Sequence, residues 1–216
     1  MSLRILVVDD HAVVRRGVRS LLESHEGWEV CGEATTGRDA VEQSRHLRPD
    51  VVVMDLSLPE LNGLDATRQI LKDAPNTEVL VLTMHHSEEL ARDVLQAGAR
   101  GYVLKSDADE NLITAVDTLR QHKPFLTSTV TEFVLDDYIR RGDTAQEHLA
   151  PAAVTARERE ILQLVAEGQS NKEAASTLGI SVKTIEAHRA NIMRKLRLRS
   201  VSDLVRYAIR NQIVQP

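Results

Sequence analysis

Five short apolar runs mark the first 121 residues, and each is followed by a stretch with helical spacing. The runs are 4–9 ("RILVVD"), 28–34 ("WEVCGEA"), 50–55 ("DVVVMD"), 78–83 ("EVLVLT") and 101–105 ("GYVLK"). Between them, Val14, Val18, Leu21 and Leu22 recur at three- and four-residue steps, and similar patterns cover 37–47, 66–72, 88–97 and 109–121. Strands of this length, apolar on both faces and alternating with helices, predict a five-stranded, doubly wound, flavodoxin-like parallel α/β sheet. From about His122 to Ala153 the pattern breaks: "LTSTVTEFVLDDYIRR" can form a helix, and "GDTAQEHLAPAA" reads as linker. The chain from Val154 to Pro216 is helical throughout, a second and smaller all-α domain. "TARE" (155–158) and "SNKE" (170–173) fit the capping box that opens a helix. Gly168 and Gly179 mark helix ends, and further helices are predicted over 181–196 and 202–211.

Charge separates these halves. Residues 1–124 carry 14 Lys+Arg against 21 Asp+Glu, net −7; residues 125–150 are −3; residues 151–216 hold 11 against 6, net +5. The basic end is the candidate for nucleic acid. One cysteine, Cys31 in a predicted strand, leaves no internal disulfide and suits a reducing cytoplasm. No apolar run reaches the roughly 18–20 residues of a membrane helix, and "MSLRILVVDD" reads as a strand meeting acids rather than a signal peptide.

The strand ends carry the chemistry. Asp55 closes the third strand, while Asp9 and Asp10 close the first. Right-handed crossovers bring these strands side by side, so the carboxylates converge on one rim. Like charges this close need neutralising. A hard divalent cation such as Mg²⁺, with oxygen ligands at about 2.0–2.1 Å, does so and leaves room for phosphate oxygens. Thr83 and Lys105, which close the fourth and fifth strands, add a hydroxyl and an ammonium suited to a phosphoryl group, with Asp55 as its acceptor. The turn "LPELNG" follows, with Pro59 and Gly63 shaping it. His11, His85 and His86 have no matched ligand pair and read as loop residues. A hydrolase using Asp55 would want a second carboxylate just beyond it and a substrate cap; Leu56 and Ser57 follow instead, and no cap-sized insertion occurs.

"VVDDH", "VVVMDLSLPELNG", "VLVLTMH" and "AGARGYVLKS" together resemble the receiver domain of bacterial two-component response regulators, over residues 3–121. That resemblance implies phosphate transfer to Asp55 from a histidine kinase. It implies Mg²⁺ held by Asp10, Asp55 and the Ser57 carbonyl, with Asp9 acting through water, and Thr83 and Tyr102 as a switch pair in which Tyr102 turns inward on phosphorylation. Ser106 stands where many receivers have proline after the lysine.

In the helix over 181–196, Val182, Ile185, Ile192 and Leu196 form the predicted buried stripe, with His188 at its edge and Arg189 close to it. The other side presents Lys183, Ala187, Ala190 and Arg194, flanked by Glu186 and Asn191. Small residues among basic and amide groups allow close approach to a major groove, where Glu186 can accept from cytosine and Lys183 can donate to guanine or phosphate. With Lys172 and Thr184 these are the candidate DNA contacts. The preceding "SNKEAASTLGIS" supplies the first helix and turn of a helix-turn-helix. Residues 155–196 resemble the LuxR-type DNA-binding domain, Ala174 standing where that family usually has a larger aliphatic residue. A receiver followed by this domain is the layout of the NarL/FixJ family. That implies a cytoplasmic transcription regulator, not an enzyme, whose phosphorylation favours a homodimer on DNA, with the last helix able to mediate dimerisation. A constitutive DNA binder that keeps its receiver only for assembly is the alternative.

Overall fold

A computed structural model describes residues 2–84, 87–127, 130–132, 154–211 and 213–214. The chain divides into two compact units, one built on a sheet and the other from helices near the C-terminus. His85, His86 and most of the segment expected to link the halves lie outside the described residues.

The sheet strands are β1 (Leu3–Val8), β2 (Trp28–Ala34), β3 (Val51–Asp55), β4 (Glu78–Thr83), β5 (Gly101–Leu104) and β6 (Phe125–Leu126). Their spatial order is β2-β1-β3-β4-β5-β6, all parallel. The helices between them are α1 (Ala12–Glu23), α2 (Gly37–Leu47), α3 (Gly63–Asp73), α4 (Glu88–Gln96) and α5 (Ala108–Arg120). Every residue of β3 and β4 is buried, as expected for central strands covered on both faces. On one face Val51, Val53, Leu80 and Leu82 meet Val18 and Leu22 of α1 and Leu112, Val116 and Leu119 of α5.

The sheet has one strand more than the periodicity predicts. β6 is a two-residue edge that pairs Gly101 with Phe125 and Tyr102 with Leu126, beyond residue 121. Two residues after Pro124 cannot display an alternating pattern, so the run was invisible as a strand. The third helix also starts at Gly63, three residues before the expected Ala66. The Gly63 amide donates to the Leu56 carbonyl at 2.9 Å and closes the turn that follows β3.

The second unit holds α6 (Ala156–Ala166), α7 (Asn171–Leu178), α8 (Val182–Lys195) and α9 (Val201–Arg210). Thr155 with Glu158 and Ser170 with Glu173 form the two capping boxes that the sequence announces. Gly179 ends α7 in the left-handed region (φ 62°), and only Ile180 and Ser181 separate it from α8. That is the short glycine-bearing turn of a helix-turn-helix. The core joins Ile161 and Leu164 of α6, Ala174 and Leu178 of α7, Ile185 and Ile192 of α8, and Leu204 and Ala208 of α9. Ala174 is fully enclosed.

A Cβ on Gly63 would lie 2.0 Å from the Asp55 carbonyl oxygen and 2.8 Å from the Leu56 Cα, so backbone must move to admit it. Gly63→Ala is expected to destabilise the sheet unit by about 2 kcal/mol or more, read as a lower urea midpoint for that unit's transition.

Candidate functional site

Register places the polar strand ends together. Val8 pairs with Met54, Asp55 with Leu82 and Thr83 with Leu104, so β1, β3, β4 and β5 finish on the same rim. Along the chain, β2 and β3 lie on opposite sides of β1, so the β1/β3 boundary is the topological switch point of the sheet, where open α/β folds bind ligands. Asp9 and Asp55 are each 2% exposed there, and Thr83 is fully buried. Lys105 opens a one-turn 3₁₀ segment (Lys105–Asp107) just beyond β5, and its stem reaches back along the rim. Its Nζ donates to Asp55 Oδ2 at 2.8 Å and lies 2.7 Å from Asp9 Oδ2. One ammonium therefore sits between two buried carboxylates.

Burial pushes the Asp55 carboxyl above its ordinary value, against the hydrogen bond and charge of Lys105, while the Asp9 charge adds to the rise. Burial by itself would lower Lys105, but its bonds to Asp55 and Asp9 outweigh it, and the ammonium is held above its usual range. The Ser57 backbone also hydrogen-bonds Asp55. Tyr102 on β5 is 1% exposed, and burial pushes its phenol up to about 12. The side chain thus already lies inward in this structure.

Asp9, Asp10, His11 and Asp55 each offer a ligand atom, all within 4.8 Å of one another. Asp10 is exposed, whereas Asp9 and Asp55 are buried. Among the described residues Asp9 Oδ2 is met only by the Lys105 ammonium, at 2.7 Å. Oxygen donors of this kind, partly buried and under-satisfied, fit a hard divalent cation. His11, read from sequence as a loop residue, belongs to this cluster: its Nδ1 lies 2.7 Å from Asp10 Oδ1. A singly placed histidine carries no spacing signal, so only the fold could reveal it.

In the second unit α8 is the exposed helix of the helix-turn-helix. Lys183, Thr184, Glu186, Ala187, Ala190 and Arg194 are exposed, Asn191 is half-buried, and Lys172 is exposed on α7. Ile185 and Ile192 are fully buried and Leu196 partly so, but Val182 is 40% exposed. Val182 is therefore not part of the buried stripe: it occupies the first helical turn, after the Ser181 cap, where α8 has only begun to meet its core. Arg189 donates to Asn171 Oδ1 and thereby joins α8 to the start of α7. Arg194 donates to Asn191 Oδ1 at 2.8 Å, and the Thr184 amide and hydroxyl both engage Ser181. Lys195 pairs with Glu158 at 2.7 Å, fixing the end of α8 to the start of α6.

Two family models match the chain. Residues 5–117 match the response regulator receiver domain, and residues 152–208 match the bacterial regulatory proteins of the luxR family. The chain belongs to the LuxR-type response regulators. It is 39% identical to the oxygen regulatory protein NreC of Staphylococcus epidermidis over 99% of this chain and all of that protein. A LuxR-family two-component response regulator from Aurantimonas sp. SI85-9A1 covers 64% of this chain and 99% of its own, at 34% identity and a TM-score of 0.61. The two-component response regulator RcsB in complex with DNA is 28% identical, covering 96% of this chain and 98% of that one, with a TM-score of 0.60. The family is one of transcription regulators with a receiver and a DNA-binding domain, and among the described residues no helix is long and apolar enough to cross a membrane.

A carboxyl whose pKa is raised by folding contributes stability below its unfolded value, lost as pH rises through the folded one. At neutral pH this response regulator therefore carries a cost at Asp55. Asp55→Asn is expected to raise the stability of the metal-free receiver by on the order of 1 kcal/mol at pH 7, with the gain vanishing in acid. Chemical denaturation at several pH values checks it.

Glu158 behaves oppositely. Its bond from Lys195, followed by those at Thr155, holds its carboxyl below the usual range despite burial. That stability is present above the unfolded value and is lost as pH falls through the folded one. Glu158→Gln should destabilise the helical unit by about 1–3 kcal/mol near neutrality and flatten its acid dependence, seen as a shifted helical melting transition.

Proposed function

We propose that Asp55 is the phosphoacceptor of this regulator, and that its phosphorylation by a sensor histidine kinase controls dimerisation and sequence-specific DNA binding in the cytoplasm. The observation that carries the reading is the convergence of Asp55, Asp9 and one ammonium, Lys105, on the switch-point rim. A carboxylate oxygen of Asp55 attacks the phosphorus of the phosphohistidine. An O–P bond forms, the N–P bond breaks, and the imidazole leaves with its electron pair and takes up a proton. Lys105 stands 2.8 Å from Asp55 and supplies positive charge to the transferred group. Thr83, at the end of β4, offers its hydroxyl to a phosphoryl oxygen, and Tyr102 on the neighbouring strand is its switch partner. Asp10, Asp55 and the Ser57 carbonyl would hold Mg²⁺ with Asp9 assisting through water, and the ion when bound would offset negative charge on the phosphoryl oxygens.

For DNA, Lys183, Glu186, Ala187 and Ala190 form the exposed side of α8 that approaches base edges. Lys172, Thr184 and Arg194, all exposed, are the further candidate DNA contacts, and Asn191 joins them once it parts from Arg194. The similarity to RcsB, a response regulator solved in complex with DNA, supports this use of the second domain, and that to NreC, an oxygen regulatory protein, supports regulation as the output.

Intact mass after incubation with a small phosphodonor and Mg²⁺ tests the first half. One phosphoryl addition is expected in the wild type and none in Asp55→Asn. An unchanged DNA affinity and oligomeric state after that addition would instead mark a constitutive binder. Selection from a randomised duplex library tests the second half. Glu186→Ala should relax the preference at one position by about 1–3 kcal/mol; Lys183→Ala should relax the preference at another if its partner is guanine, or lower the salt dependence of binding uniformly if its partner is phosphate.

A further inference from the structure

We infer that His11 adds an imidazole ligand to the acid cluster and tilts its preference from Mg²⁺ toward borderline divalent ions such as Co²⁺. This rests on reading the cluster as a divalent-cation site. His11 Nδ1 lies 2.7 Å from Asp10 Oδ1 and 3.5 Å from Asp9 Oδ1, so the ring nitrogen faces the carboxylates. Its backbone amide donates to Asp9 Oδ1 at 2.7 Å, which fixes the residue beside the cluster.

Apart from its pairing with Asp10 and Asp9, the ring makes no bond among the described residues. His11 is the N-cap residue of α1, yet its side chain makes no capping bond, and it is 63% exposed. Other histidines are engaged elsewhere: His25 stacks on Trp28, His46 meets the Glu42 carbonyl and His122 pairs with Glu78. Ligands of one small ion at roughly 2.1 Å stand up to about 4.2 Å apart. The 4.8 Å limit of this cluster needs only a small contraction to meet that.

Three carboxylates alone suit Mg²⁺. An added imidazole benefits ions higher in the divalent series, because nitrogen donors strengthen Co²⁺ and Ni²⁺ binding more than that of a hard, strongly hydrated ion. Mg²⁺ loses little without the ring, since water fills the position. The rival geometry has Nδ1–H donating to Asp10 and merely orienting it, which would serve every ion alike.

The experiment is titration calorimetry of the untagged full chain with Mg²⁺ and with Co²⁺, counting the Co²⁺ that excess Mg²⁺ displaces, alongside the Co²⁺ visible spectrum. His11→Ala is expected to weaken Co²⁺ by about tenfold or more and to alter its visible bands, while Mg²⁺ stays within about twofold. Retained Mg²⁺ binding also shows that the variant is folded. Equal losses for both ions, or unchanged Co²⁺ affinity beside normal Mg²⁺ binding, would overturn the inference alone. If neither ion binds the wild type, or Asp10→Asn changes neither, the cluster is no cation site, and the inference falls together with the reading beneath it.

Discussion

The receiver is organised around one costly arrangement: two carboxylates buried side by side at the rim of a parallel sheet, with a single lysine between them. An isolated carboxylate in such a place would take up a proton. Lys105 opposes this with its hydrogen bond and charge, although burial still holds Asp55 above its ordinary range, and the lysine is held charged. The surrounding fold makes the arrangement tolerable. Central strands buried on both faces fix the rim, and the register of β1, β3, β4 and β5 leaves the groups little freedom to part. Stability is thereby given up locally for a site of concentrated charge, a common trade where a binding site must be prepared in advance.

How much of this was legible in the sequence follows from what each residue does locally. Asp9, Asp55, Thr83 and Lys105 were readable because each ends a strongly apolar strand, and parallel topology sends all such ends to one side. The capping boxes at Thr155 and Ser170 were readable because their chemistry is complete within four residues. Strand β6 was not, because its pairing with Gly101 and Tyr102 is a tertiary event imposed on two residues. The start of α3 was displaced because Gly63 is chosen for closeness to the Asp55 backbone, a contact that propensity does not express. Val182 followed the helical period but stands at the first turn, where the period continues and the core does not.

The DNA-binding unit solves a different problem with the same economy. Its four described helices, of 8 to 14 residues, enclose a small core, so their ends matter more than in long helices. Side-chain caps at Thr155, Ser170, Ser181 and Ser200 meet the first amides of all four. Ties between helices do the rest: Lys195 to Glu158, Arg157 to the Leu178 carbonyl, and Arg189 to Asn171. Three basic residues are thus spent on internal geometry, and the net positive charge of the unit overstates what is free to face DNA.

That distinction matters for Lys105 as well. The Lys105 ammonium keeps one N–H for a third acceptor, but its single charge is already divided between Asp9 and Asp55. On the proposed reading, a phosphoryl group on Asp55 presents new oxygens and more negative charge at the same spot, and the ammonium must redistribute. Thr83 is the last residue of β4 and pairs with Leu104, the residue before Lys105. Movement of the lysine therefore bears on the strand ends that carry Thr83 and, two residues back along β5, the buried Tyr102. The same scarcity of positive charge that makes unmodified Asp55 uncomfortable is what would make its modification felt by its neighbours.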